Sequence, residues 1–313
     1  MSFDALGPSP MKKEKIPTKV LSDRWYSYLL VTPAMIVLIF FGLVPLFYAI
    51  YLAFHHVDLI SGGIGGFVGL DNFREALNDN VFWSATGRTL IFTIASVGIE
   101  MVLGISLAFL INQIKWFKGI IRALFLLSLA CAPAAVGLVW RYLYDPDFGV
   151  YTALLKMVGI TAPNWLGDPS TAMPAIIAFD VWQWTPFVLL VALAGLQSLP
   201  KEPFEAAELD GASNWMVLRR LTFPMLAPVL TLVFILRTID VIKMYDAVIT
   251  MTRGGPGIAT ETVTYFLYRV GLKYFRLDQA SSMALLVLFA VVVFCGIVLR
   301  PLMKSQASRS RRS

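Results

Sequence analysis

The stretch EAAELDGASNWMVLRRLTFP, Glu205 to Pro224, separates two long apolar blocks in a 313-residue chain that is 58% hydrophobic and 15% charged. A soluble domain carries about 25% charged residues. A bare link between two membrane helices would be far shorter than this segment. Its acids, alanines, single glycine and paired arginines therefore ask for a purpose, and the purpose depends on what flanks it.

Six apolar blocks are long enough to cross a bilayer, which takes about 20 residues. They are Tyr28–Phe54, Trp83–Ile111, Ile121–Tyr144, Ala172–Ala194, Met225–Met244 and Ala280–Leu299. Pro133 interrupts the third; Asp180, Gln183 and Pro186 interrupt the fourth. Proline is tolerated in a membrane helix where neighbours satisfy the freed backbone. No run of alternating ten-residue segments recurs, which excludes a barrel. The expected fold is all-α: a polytopic membrane protein with six transmembrane helices, residues 25–305, between basic tails at 1–24 and 306–313.

Net charge is +6, and its distribution gives the orientation. With the N-terminus inside, sixteen of the 26 Lys and Arg fall in cytoplasmic segments, six in outside loops and four within spans. That is the positive-inside bias, and it places both termini in the cytoplasm. The basicity thus needs no nucleic-acid partner, and no binding motif for one occurs. The first block is too long for a signal-peptide core and reads as an anchor. Cys131 and Cys295 lie inside spans, so no disulfide framework is expected. His55 and His56 are adjacent and cannot share a helix face as a metal pair; their expected role is interfacial hydrogen bonding.

In the outside loops, SGGIGG reads as a flexible turn, since no Lys-Ser or Lys-Thr follows to make a phosphate loop. YTALLKMVG reads as a short surface helix, and TRGGPG as a turn. The segment TETVTYFLYRVGLKYF has the aromatic and basic composition of a headgroup interface.

Glu205–Pro224 itself is cytoplasmic in this topology. Pro203 stands near a helix start and Gly211 near a helix end. Glu202, Glu205 and Glu208 recur every three residues, in the first turns, where the helix dipole favours acids. Ser213 or Asn214 is a cap candidate for a second helix, with Pro224 opening the fifth span. Two short helices joined at Gly211 either lie on the membrane surface or dock into another protein.

The spacing EAA, three residues, G, nine residues, then two apolar positions and P is the signature of permease subunits of binding-protein-dependent ABC importers. Here it falls on Glu205, Ala206, Ala207, Gly211, Leu221, Phe223 and Pro224, and Leu and Phe at the apolar positions depart mildly from the usual pair. FVGLDNF (67–73) and RTIDVIKMYDAVITMTRGGPG (237–257) resemble segments of the carbohydrate-type members, and the resemblance covers roughly 25–305. It implies that residues of about 200–223, with Glu205, Ala206, Ala207, Asp210, Gly211 and Pro224, form a coupling helix seated in a cleft of a cytoplasmic ATPase. It also implies a second permease subunit, two ATPase subunits holding ATP and Mg, an extracytoplasmic substrate-binding protein, an inner-membrane location and a sugar, oligosaccharide or polyol as cargo. This chain has no G-x-x-x-x-G-K-[ST], so no cofactor and no ATP hydrolysis of its own is expected.

An ionised group at mid-bilayer costs at least about 2.5 kcal/mol and needs a partner or a purpose. Arg237, Asp240, Lys243 and Asp246 alternate in sign at three-residue spacing, which reads either as a self-neutralising ladder near the outer end or as a polar wall of the pathway. Asp180, Gln183 and Trp184 fall within one turn, and a polar handle beside an aromatic body suits a sugar. The same grouping suits a tryptophan anchored at the outer membrane surface. Tyr245 completes the candidate pathway set. Arg88 and Glu100 read as solvent-end and interhelical contacts. A stand-alone ion-coupled secondary transporter, using Asp180 and Asp240, is the alternative, but it leaves the Glu205–Pro224 segment unexplained. An embedded enzyme lacks a metal cluster or a nucleophile with a His partner.

Overall fold

The computed structural model describes residues 23–58, 63–114 and 118–310. The expected tail at 1–24 lies outside it except for its last two residues, as do 311–313. Helix α1, Asp23–Ala53, is one unit up to Ala49; from Ile50 onward the chain forms a second. Within α1 the span Tyr28–Ala53 is apolar throughout and contains Pro33 and Pro45. The Thr32 hydroxyl donates to the Tyr28 carbonyl at 2.5 Å, just before Pro33.

The second unit is built around α3 (Asn80–Gln113) and α7 (Pro169–Gln197). Both start on aspartate caps. Asp79 accepts from the Val81 and Phe82 amides at 2.7 and 3.2 Å, and Asp168 accepts from the Ser170 amide at 2.7 Å. A side-chain oxygen there satisfies a donor the helix cannot. The two helices approach closely at Gly104, where an added Cβ would stand 2.6 Å from the Val188 Cβ. Small residues allow such contacts between membrane helices, where apolar burial alone gives no drive.

The third apolar block is not one straight span. Helix α4, Lys118–Ala130, and helix α5, Pro133–Leu143, meet at an angle of 94°. Pro133 has no amide hydrogen and its ring would strike the carbonyl four residues back, so the chain turns there. Gln183 covers the carbonyl freed at Cys131, its Nε2 donating at 3.3 Å. Among the described residues, five helices are thus long and apolar enough to cross a membrane, or six if the bent pair counts as one.

The fifth span also departs from expectation. Helix α10, Phe223–Ile242, is preceded without a break by α9 (Asn214–Val217) and a π-helical turn (Leu218–Thr222). Pro224 therefore sits inside a continuous rod, Asn214–Ile242, and does not open it. The wider turn, with the Phe223 amide reaching the Leu218 carbonyl, makes room for a proline ring that a regular helix would reject.

Beyond Ile242 the chain stays packed. A π-helical turn (Val248–Thr252), helix α11 (Val263–Tyr268) and a further π turn (Arg269–Lys273) lead to α12, Leu277–Ser310. The end of α10 would leave bare carbonyls. Thr264 donates to Ile242 O at 3.0 Å and Thr262 to Met244 O at 3.1 Å. The first half of the segment expected at the headgroup interface is core: Val263, Phe266 and Val270 are buried against α3 and α12, and Tyr265 is buried in the neighbouring cluster, while Leu272, Tyr274 and Phe275 are exposed. Its aromatic content serves packing, because the short helices fold back between long ones. Helix α12 continues through 306–310, part of the expected tail.

At the same end of the second unit, β1 (His55–Asp58) pairs antiparallel with β2 (Gly63–Phe67), so the glycine-rich turn is in part a strand; residues 59–62 lie outside the described set. Helix α2, Asp71–Asn78, ties this hairpin down: Asn72 Nδ2 donates to the Ala53 and His55 carbonyls, each at 3.0 Å. Asp278 accepts from the Val57 amide at 3.2 Å and lies 3.3 Å from His56 Nδ1. His55 Nδ1 lies 2.7 Å from the Tyr51 carbonyl oxygen, a hydrogen bond within one turn. The expected surface helix is present as α6, Val150–Met157.

Candidate functional site

The opposite end carries the first candidate site. Helix α8, Glu202–Leu209, begins with Pro203 in its first turn and ends in a Schellman motif. The Gly211 amide donates to Glu208 O and the Ala212 amide to Ala207 O, each at 3.0 Å. This closure requires a left-handed residue, and Gly211 has φ +68°. Ser213, rather than Asn214, caps α9, accepting from the Met216 amide at 3.3 Å. The expected second short helix is thus the first turn of the rod Asn214–Ile242. Glu205, Ala206, Glu208 and Asp210 are exposed, and Ala207 is half-buried. Leu209 is 90% exposed and Trp215 69% exposed. A cleft of about 510 Å³ separates α8 from the ends of α3 and α7, lined by Phe109, Asn112, Phe204, Glu205 and Glu208. The unit stands off the bundle on a rigid stem and presents acids with flanking apolar groups.

The second candidate site is a buried charge cluster. Arg237 on α10 is 1% exposed and meets carboxylates from two other helices. Its Nε and Nη2 donate to Glu100 on α3, both at 2.7 Å. Nη2 also donates to Asp180 on α7 at 3.1 Å, and Nη1 to Asp240 at 2.8 Å. The ladder expected along one helix is therefore a junction among three. The helix ends at Ile242, so three-residue spacing stops being a face beyond it. Lys243 reaches only to 3.8 Å from Asp240, and Asp246 is exposed and in no ion pair among the described residues.

Trp184 is half-buried, and its ring lies 4.6 Å from the Arg237 guanidinium carbon. Asp180 and Trp184 thus meet at Arg237, while Gln183 faces the α4–α5 break. Tyr245 packs with Tyr265 and Tyr268, ring centroids 6.2 and 5.1 Å away.

Glu100 is the residue that sequence reading left as a plain contact. Its signal was available: it is the sole acid in an apolar stretch of 34 residues, and such a group demands a cation. A smaller junction also went unread. Glu261 is buried, 2.8 Å from Arg269 Nη1 and 3.9 Å from Arg88 Nη2, while Arg88 Nε donates to the Glu261 carbonyl at 3.0 Å. Burial raises the Glu261 carboxyl above its ordinary range, with Arg269 and Arg88 opposing. Arg88 thus ties α3 to the turn that precedes α11. No group of three or more metal-ligating side chains occurs among the described residues.

The sequence model for the family described as binding-protein-dependent transport system inner membrane component matches residues 100–310. A trehalose/maltose transport system permease protein of Thermococcus litoralis is 33% identical over 276 residues, covering 87% of this chain and 92% of the relative. A sulfoquinovosyl glycerol transport system permease protein of Agrobacterium fabrum is 30% identical over 271 residues, covering 87% and 88%. Among solved structures, a bacterial ABC transporter involved in the import of the acidic polysaccharide alginate superposes with TM-score 0.77 at 21% identity, over 90% of this chain and 96% of that one. The alginate transporter in complex with its pentasaccharide-bound periplasmic protein superposes with TM-score 0.76 at 23% identity. These two likenesses bear on the fold.

Proposed function

Since the chain belongs to the family of binding-protein-dependent transport system inner membrane components, we propose that it forms half of the translocation pathway of an ATP-driven sugar importer. In this reading a second, homologous permease supplies the other half. Two cytoplasmic ATPase subunits hold ATP and Mg, and an external binding protein delivers a sugar, oligosaccharide or polyol. The α8 end faces the cytoplasm with both termini.

One observation carries the reading: the Schellman-closed α8 is joined through Ser213 to a single rod, Asn214–Ile242, whose far end holds Arg237. A 29-residue helix is about 43 Å long. An ATPase cleft that grips Glu205, Ala206 and Ala207 would move α8 as a unit, because Gly211 closes it without slack. The rod carries that displacement to the junction with Glu100 and Asp180, so α3 and α7 follow. Interface-driven rigid-body motion of this kind switches access from one side to the other. The ion-coupled alternative needs a carboxylate whose charge is not already compensated, whereas Asp180 and Asp240 are each ion-paired with Arg237.

The test is gentle extraction of the tagged chain from its own membrane, with its stoichiometric companions identified by mass spectrometry. A P-loop ATPase and a second permease of this family support the proposal. A chain that comes out alone and moves solute in liposomes without ATP would overturn it.

A further inference from the structure

The transport relatives differ in the charge of what their names say they carry: trehalose and maltose are neutral, sulfoquinovosyl glycerol and alginate are acidic. The buried cluster bears on which kind fits here. Glu100 lies 13 residues from the end of α3 at Gln113, about 20 Å, and 20 residues from its start at Asn80, about 30 Å. Asp180 is 11 residues, about 16 Å, inside α7. The cluster therefore sits within the thickness of the hydrocarbon core, about 30 Å. Yet Asp240 is 43% exposed and Lys243 66% exposed. Lipid-facing charges at that depth are strongly disfavoured. This face therefore borders the water-filled pathway, with Trp184 beside it.

The buried cation of this face is already committed. Arg237 spends four hydrogen bonds on three carboxylates, and the Trp184 ring covers its flat side. A guanidinium so placed offers no fork to a sulfonate or uronate. Lys243, exposed and 3.8 Å from Asp240, is the remaining cation, and Asp240 offsets its charge. Two cations, Arg237 and Lys243, face three carboxyls, Glu100, Asp180 and Asp240, so the sum is one negative charge. With one carboxyl protonated the sum is zero. Exposed Asp246 adds a further negative charge just past the helix.

We propose that this wall selects an uncharged saccharide: Trp184 supplies a surface for sugar C–H faces, Asp240 accepts from hydroxyls, and the carboxylate-saturated Arg237 denies acidic sugars a counter-ion. The proposal rests on the sugar-importer reading and narrows its cargo class.

Two measurements on the complete importer in membrane vesicles test it. The first reads the wall directly, apart from the binding protein. Trp184→Cys is introduced with Cys131→Ser and Cys295→Ser, and its modification rates by trimethylammonium and sulfonate methanethiosulfonates are compared after normalisation to a free thiol. One net negative charge at about 8 Å in water favours the cationic reagent about fivefold. Asp240→Lys should bring that ratio to one or below. An anionic reagent that reacts as fast or faster in the unaltered wall overturns the proposal. Tyr245→Cys serves the same purpose should the Trp184 variant fail to assemble.

The second measurement is uptake of trehalose, maltose, sulfoquinovosyl glycerol and alginate oligosaccharide. Uptake confined to neutral sugars supports the proposal. Uptake of an acidic one overturns it and leaves the sugar-importer reading standing. An importer that takes up another class of solute and no saccharide overturns both.

Discussion

Arg237 and Glu100 are 137 residues apart in sequence and joined by two hydrogen bonds of 2.7 Å in a nearly solvent-free site. A buried pair of this kind is weak evidence of net stabilisation, but breaking it is costly because one charge is left behind. The two partners are not equivalent. Arg237→Met strands Glu100 and Asp180 together and should cost about 3–5 kcal/mol. Glu100→Gln leaves Arg237 held by Asp180 and Asp240 and should cost about 1–3 kcal/mol. Thermal unfolding of the purified importer would rank them. Equal losses would mean that the third carboxylate does not share the guanidinium. The pair Arg237→Met with Glu100→Gln should recover part of the single loss.

Gly211 separates shape from space. A Cβ built there meets nothing within 4 Å, so added bulk costs nothing within the chain itself. The left-handed backbone is what an alanine resists, by about 1–2 kcal/mol. Gly211→Asn, which tolerates that conformation, should keep most coupled uptake; Gly211→Ala should lose part of it; Gly211→Leu should abolish it by blocking the ATPase cleft while the chain still reaches the membrane. Uptake and substrate-stimulated ATP hydrolysis are the measurements. Normal transport by the leucine variant would remove this loop from the coupling path.

These two sites differ in how far they could be read from the chain. The end of α8 was legible because a Schellman closure is local: Pro203, Gly211 and Ser213 each act within a few residues. The bend at Pro133 was visible as an interruption, but its angle depends on Gln183, 52 residues away in sequence, which covers the Cys131 carbonyl. The continuity of Asn214–Ile242 was not legible, because a proline normally marks a boundary and the π turn that carries the chain into Pro224 has no sequence signature. Three-residue spacing made the charges of Arg237 to Asp246 look like partners of one another. Their pairing is set by α3 and α7, and nothing in the spacing of one segment reports the face of another. Tyr265 and Phe266 were hard to place for a similar reason: an interfacial helix and a buried one share that composition.

The cap of α7 makes a pH prediction. Asp168 Oδ1 accepts from the Ser170 hydroxyl at 2.6 Å and from its amide at 2.7 Å, and these bonds hold its carboxyl below the usual aspartate range. A lowered folded value means that the contribution is present above the unfolded aspartate pKa of about 3.9 and is lost as pH falls through the folded one. Serine at the same position caps without titrating. The melting temperature of Asp168→Ser should therefore fall less than that of the natural chain between about pH 5 and pH 3. Parallel falls would show that the cap is not a source of acid lability.

The contact between Gly104 and Val188 yields a prediction with a built-in rescue. An alanine Cβ at position 104 would stand 2.6 Å from the Val188 Cβ, 2.7 Å from its Cγ1 and 3.0 Å from the Leu189 amide nitrogen. No side-chain rotation relieves a clash with a Cβ, so α3 and α7 must separate. Overpacking of this kind costs about 1–3 kcal/mol. Because the helices also carry Glu100 and Asp180, a shift at Gly104 loosens the grip on Arg237, and transport should suffer along with stability. Val188→Ala keeps its Cβ, so the double variant should recover only the part due to Cγ1. Val188→Gly removes both offending atoms and should recover more, less the cost of glycine in a helix, about 1 kcal/mol. A double-mutant cycle on melting temperature and uptake measures this. Additive losses in Gly104→Ala with Val188→Gly would mean that the two helices do not meet there.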